Sequence, residues 1–403
     1  MKELRIFVFC GWVGVCASAR AVYAPIPDQE QGKDLTVSLH GGVTYDNNIF
    51  GAYTAAIPSM IYELAPGVVF NASMTPQTFV SASYKLALDY YENRPGQKLL
   101  DNHNLDARLA HAFSKQNVLD VTDALVVTHN PESLLGGVPV NTDQSYLSNE
   151  AGGRFAFAPS EKVGMVLKAR STYYDYFNSA LGDSLNRVEN LFGLEGDYTL
   201  LPELKAAGEY RHQDINYIHG GALNNKHSEF LMGGADYSPG PRLSASFRLG
   251  AEWRRLANNG SQTAPHAEFT VKYDYAKGSY VSAGYSYDLA ETSDPAHYSD
   301  ERTNRIFISV QHALTARVVA SASVDYEPSR LVGLAQVPDP ADTGTHPVPD
   351  LNETGTHAGG ALTYVALKNW LISATYDYDF MNSGDPTRGM NRSRTGLNGT
   401  YTF

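Results

Sequence analysis

The side chains able to do chemistry in this sequence are charged, and they fall at alternate positions. Asp377 and Asp379, within "LKNWLISATYDYDFMN" (residues 367–382), place two carboxylates two residues apart, a spacing that holds a cation when further ligands join them. In an extended chain residues i and i+2 share one face, and no third ligand stands near this pair in sequence, so two acids lining a hydrated surface is the simpler account. The same counting gathers Lys168, Arg170, Lys205, Arg211, Arg248 and Arg254 on middle segments of the chain. Asp274, Asp288, Asp325, Asp377 and Asp379 gather on later ones. Opposed sectors of opposite sign across a passage would set a field and sort polar or charged solutes. Glu195, Glu209, Glu252, Lys272 and Arg317 interrupt the segregation. If Arg170, Arg211, Arg248 and Arg254 form one wall of an open channel, replacing Arg211 and Arg248 together by Gln shifts ion selectivity toward cations and leaves folding nearly intact.

Stronger chemical motifs are missing. The sequence has no G-x-S-x-G, H-E-x-x-H, C-x-x-C or phosphate-binding glycine loop. Its twelve histidines are scattered. His129, His219, His297, His346 and His357 fall in or beside polar connections, where a solvated imidazole is the expected state. No nucleophile, base and orienting group can be assembled, and the reading is a protein without enzymatic activity, cofactor or metal.

What positions the charges is a rhythm of strands. In 367–382, Trp370, Ile372, Ala374, Tyr376, Tyr378 and Phe380 share one face, while Leu371, Ser373, Thr375, Asp377 and Asp379 share the other. The split recurs in "ARVVASASVDYE", "HAEFTVKYDYA" and "PRLSASFRLGAEWR". Segments of roughly 10–16 residues with this alternation are the signature of membrane strands. Short connections near 74–76, 114–116, 159–160, 200–202, 238–241, 276–278, 313–315 and 367–369 interleave with long polar ones near 46–58, 92–100, 129–143, 178–184, 217–225, 255–265, 291–300, 329–352 and 382–391. The pattern predicts an all-β, antiparallel, up-and-down transmembrane barrel of about 18 strands, with turns in the periplasm and loops outside. Strands running toward the long loops end in aromatics (Tyr45, Tyr90 and Tyr91, Tyr173 and Tyr174, Tyr210, Trp253, Tyr326, Tyr376). Those running back end on Phe70, Phe113, Tyr198, Tyr237, Tyr275, Tyr364 and Phe403. Two interfacial girdles are expected.

The N-terminus agrees. Lys2 and Arg5 precede an apolar run from Ile6 to Ala17, then small residues to Ala21, which reads as a secretory signal peptide over 1–21. A short periplasmic segment follows over 22–33, and the barrel spans 34–403. Cys10 and Cys16 are the two cysteines and both lie in the leader, leaving none for the mature chain. Removing Lys2, Arg5, Arg20 and Glu3 takes Lys+Arg from 31 to 28 and Asp+Glu from 43 to 42, so the net charge moves from −12 to −14. That sign argues against a nucleic-acid partner.

The ending "TGLNGTYTF" puts Leu397, Tyr401 and Phe403 on one face, resembling the C-terminal signal read by the outer-membrane barrel assembly machinery, with Gly399 where a larger apolar residue is usual. "VTYDNNIF" (43–50) followed by "IYELAPGVVF" (61–70) resembles the β-barrel porin 2 family of Gram-negative outer membranes, with Leu64, Pro66 and Gly67 matching its later strand. The resemblance implies an outer-membrane barrel in contact with lipid. The expected function is a porin-like channel passing small polar or charged solutes, with both termini periplasmic. The alternative is an exit channel for an exopolysaccharide secretion system, partnered by polysaccharide-export components. The oligomeric state is left open.

Overall fold

The computed structural model describes residues 34–129, 134, 142–218, 224–257, 260–335, 337–338 and 345–403. The leader over 1–21, the segment over 22–33 and His219 lie outside the described residues. Eighteen long strands form the wall: β1 Leu35–Asp46, β2 Ser59–Thr75, β3 Thr78–Tyr91, β4 Leu99–Ala112, β5 Asn117–Thr128, β6 Tyr146–Phe157, β7 Val163–Tyr176, β8 Arg187–Leu201, β9 Leu204–Tyr217, β10 Lys226–Gly240, β11 Leu243–Leu256, β12 Ser261–Ala276, β13 Ser279–Ala290, β14 Tyr298–Ala313, β15 Val318–Gly333, β18 Leu351–Leu367, β19 Trp370–Ser383 and β20 Met390–Thr402. Two short strands, β16 Val337–Pro338 and β17 Thr345–His346, pair in a separate hairpin within the loop after β15. A short helix of 7 residues, α1 Ser179–Leu185, sits between β7 and β8.

Each wall strand pairs antiparallel with its neighbours in the chain, and β1 pairs with β20 from Ser38↔Thr402 to Asp46↔Arg394. The sheet is therefore a closed barrel of 18 strands with no free edge. The Phe403 N–H donates to the Val37 carbonyl at 2.9 Å and ties the last residue into the seam. Strands of 12 to 17 residues exceed the ~9–11 needed to cross an apolar slab at barrel tilt, so their loop ends form a collar. At the turn end, Gly278 takes φ +71° between β12 and β13, a left-handed conformation that favours glycine.

The faces separate by parity. On β8 the buried Arg187, Glu189 and Leu191 alternate with the exposed Phe192, Leu194 and Tyr198. Outward aromatics stand in two bands: Tyr45, Tyr62, Tyr90, Tyr210, Trp253 and Tyr376 near the loops, and Phe70, Phe113, Tyr237, Tyr364 and Trp370 near the turns. Tyr91 and Tyr174 are exceptions to the expected girdle. Neighbouring residues of a strand point to opposite faces, so one member of each tandem pair must turn inward. Tyr91 is 1% exposed against Ile49, Ile61 and Leu100, and Tyr174 lies 4.4 Å beneath the Arg187 guanidinium.

Candidate functional site

The candidate site is the barrel interior, where inward positions carry charge because the outward ones have taken the apolar residues. Its most continuous feature is a ribbon of alternating sign across β7 to β12. Lys168 Nζ donates to Glu195 at 2.5 Å and to Glu209 at 3.0 Å. Arg211 Nε donates to Glu209 at 2.8 Å, and its Nη1 reaches Glu268 at 2.7 Å. Arg248 Nη2 contacts Glu195 at 2.9 Å and Asp236 at 3.0 Å. Strands stand about 4.8 Å apart, so the Arg211–Glu268 pair, from β9 to β12, covers about 14 Å of wall. Its path crosses inward Phe230, which stands opposite Arg211 in the β9–β10 register.

The remaining predicted residues also face inward by strand parity, and their surroundings differ. Arg170 stands 3.9 Å from Glu150, Lys205 3.4 Å from Asp197, and Asp274 3.4 Å from Lys272. Asp325 accepts from Arg305 Nε at 2.9 Å. Asp379 contacts His357 at 2.6 Å and Arg394 at 3.2 Å, with Asp377 beside it on β19. Asp288 lies on the inward side of β13. The cations of the middle strands thus pair with acids that stand from the same strand to three strands away, and the two-sector field gives way to a mosaic of local pairs. His357, expected in or beside a loop, is an inward residue of β18. His129 Nδ1 donates to the Asp101 carbonyl at 2.6 Å, and His297 pairs with Asp294 at 2.8 Å.

At the loop end of the barrel the connections fold inward, and their residues carry no alternation by which sequence could reveal them. Where β1 enters the loop over 47–58, its last residue Asp46 is fully buried and accepts from Arg392 Nε at 2.9 Å and Nη2 at 2.6 Å. Asn48 fixes the turn: its Nδ2 donates to the Ala52 carbonyl at 2.8 Å and the Asn391 carbonyl at 3.0 Å, while its Oδ1 accepts from Ala52 N. The "DNN" of the sequence is therefore a staple across the β1–β20 seam, delivering Ile49 onto Ile61, Tyr91 and Leu100 inside the wall. Gly51 has φ +59°, and a Cβ there would collide with Leu134 from the loop after β5.

Across the mouth, the loop over 291–297 dips toward β10 and β11. Glu291 accepts from Lys226 Nζ at 2.7 Å, Tyr217 Oη at 2.7 Å and Arg254 Nη1 at 3.0 Å. Arg254, 1% exposed, also bonds Asp300 at 2.5 Å and Glu252 at 2.8 Å. Burial alone would raise the Glu291 carboxyl, but Lys226 and Arg254 outweigh it and hold the group at about 2. The same loop is latched to its neighbour, since Arg388 in the connection after β19 donates to Ser293 Oγ at 3.0 Å and to Glu353 at 2.6 Å.

A scan against models of known protein families finds no match. A search of curated proteins finds none either. Among solved structures, OccAB3 of Acinetobacter baumannii is similar at 12% identity, covering 92% of this chain and 99% of that one, with a TM-score of 0.46. Pseudomonas aeruginosa OccK2 (OpdF) is 9% identical over 92% and 98% of the two chains, at 0.49. The outer membrane protein OpdK from the same organism is 10% identical over 92% and 98%, at 0.47.

Proposed function

We propose that the protein is an outer-membrane channel that passes small polar or charged solutes through a water-filled lumen. The observation that carries this reading is the pairing of a closed 18-strand wall, apolar outside between two aromatic bands, with an interior of charged side chains. Barrels of 16–18 strands are wide enough for an aqueous passage, and the outward bands fit the two lipid–water interfaces. An even strand number puts the start of β1 and the end of β20 on the short-turn side, which we assign to the periplasm. Leu397, Tyr401 and Phe403 share the outward face there, with the Tyr401 and Phe403 rings 4.7 Å apart, and are proposed as the signal for the barrel assembly machinery. The exopolysaccharide-exit reading and the porin 2 affiliation rest on the resemblance of residues 43–70 alone.

Interior pairs of both signs, at the ribbon and at Arg305–Asp325, suit solutes that offer both donors and acceptors. Vesicles carrying the protein are expected to take up small sugars and amino acids faster than empty vesicles, with rates falling as solute size grows. Uptake no faster than the empty vesicles would contradict the channel.

Replacing Arg211 and Arg248 together by Gln leaves Glu195, Glu209, Asp236 and Glu268 in excess, so the reversal potential in a salt gradient moves toward cation selectivity. Asp377→Asn with Asp379→Asn moves it the opposite way, and both shifts shrink at high salt. The arginine variant carries a second effect that hydrated lining would not produce. Arg211 and Arg248 are 3% and 8% exposed, and breaking buried pairs costs stability, so the thermal midpoint of the barrel falls as well. Equal reversal potentials in all three proteins would remove these residues from the conduction path.

A further inference from the structure

Outside the barrel, two histidines and two carboxylates form a square on the loop ends of β9 and β10. His212 and Asp214 alternate on β9, His227 and Glu229 on β10, and the register sets His212 opposite Glu229 and Asp214 opposite His227. The four side chains are 26–41% exposed.

The contacts are ordered by ring nitrogen. His212 Nε2 and His227 Nδ1 both face Asp214, at 3.1 and 2.6 Å. Their far nitrogens, His212 Nδ1 and His227 Nε2, both face Glu229 Oε1, at 3.0 and 3.5 Å. Tyr210 Oη donates to the same carboxylate. The rings stand 4.5 Å apart.

A neutral imidazole has one N–H and one lone pair, and an ionised carboxylate only accepts. Each ring here lies between two carboxylates, so it carries a second proton or holds a cation on one nitrogen. With Glu229 taking the N–H of each ring, His212 Nε2 and His227 Nδ1 both turn their lone pairs toward the Asp214 carboxylate. Ligand atoms of His212, Asp214 and His227 all lie within 4.8 Å of one another. That is the donor set of a four-coordinate zinc-type site with one open position, and a carboxylate behind the ligating histidine is the usual support for one.

We propose that His212, Asp214 and His227 bind a divalent transition-metal ion of zinc type on the outer surface of the barrel, with Glu229 as the positioning residue for both rings. Two imidazoles set the preference for such an ion over Ca²⁺ or Mg²⁺, which take oxygen ligands. The site shares its level with the outward Trp253, opposite Glu229 in the β10–β11 register. Its placement at the lipid headgroups rests on the membrane reading above; the binding itself does not.

The test uses the full chain without a histidine tag, in detergent, titrated with Zn²⁺ in the presence of excess Ca²⁺ and Mg²⁺, and separately with Co²⁺ followed by visible absorption. One Zn²⁺ per chain is expected, with a four-coordinate Co²⁺ spectrum. His212→Ala with His227→Ala, or Asp214→Asn, lowers the affinity more than about 100-fold, while Glu229→Gln lowers it by about 10–100-fold and alters the Co²⁺ band. Because the residues stand on the exterior, the variants keep the heat-modifiable gel mobility of the folded barrel, which separates lost binding from lost folding. No saturable Zn²⁺ binding, or binding unchanged in the double histidine variant, would overturn the proposal and leave an ion-pair quartet of two imidazolium and two carboxylate groups.

Discussion

Asp46→Ala is expected to destabilise the barrel by about 3–5 kcal/mol, the cost of leaving a buried charge without its partner. Both members of the Asp46–Arg392 pair are 0% exposed, so water cannot take over the role of the lost carboxylate. The variant also removes the acceptor for the Asn48 N–H, 2.9 Å from Asp46, and so loosens the turn that seats Ile49. The damage lies where the first strand meets the last, and closure depends on that seam. The measurement is the denaturant midpoint of the folded barrel in detergent. Arg392→Met added to Asp46→Ala should recover most of the loss, because an apolar replacement of both partners removes the stranded charge. A single variant as stable as the wild type, or a double variant no better than the single, would refute the staple.

Glu291→Gln is expected to release the loop over 291–297 from the mouth. The substitution keeps the shape and removes the charge that Lys226 and Arg254 share with Asp300. A loss of about 3 kcal/mol raises the detached population by about 100-fold, visible as larger fluctuations of the open-channel current. Acid should act on the wild type in the same way. The folded Glu291 carboxyl sits at about 2, below its ordinary 4.5, so its stabilisation is complete above 4.5 and is lost as pH falls through about 2. Current noise in the wild type should therefore rise between pH 4.5 and 2, and that part of the rise should be missing in Glu291→Gln. Matching noise and pH profiles in the two proteins would show that this loop does not bear on the passage.

Parity made the wall legible in the sequence. Lys168, Arg211, Arg248, Arg254 and Asp379 could be assigned a face because strands alternate with period two, and the lipid side holds the apolar residues. Pairing was less legible. Glu195 and Glu209 were visible as inward charges, but which cation each meets depends on register and on the reach of Arg211 over Phe230, set by neighbouring strands. Glu291, Arg388 and Leu134 were hidden because loops have no period; their roles follow from inward folding. The exterior square was hidden for another reason. His212, Asp214, His227 and Glu229 stand where an apolar face is expected, and only the register of β9 against β10 brings them together.

In the proposed function, ions and small solutes cross the closed barrel through its charged, water-filled interior. Purified protein inserted into a planar lipid bilayer tests it most directly: the prediction is stepwise ion currents of uniform size, with a reversal potential in a salt gradient that moves when Arg211 and Arg248 become Gln. A bilayer that stays electrically silent, although the inserted protein is folded by its heat-modifiable mobility, would contradict it.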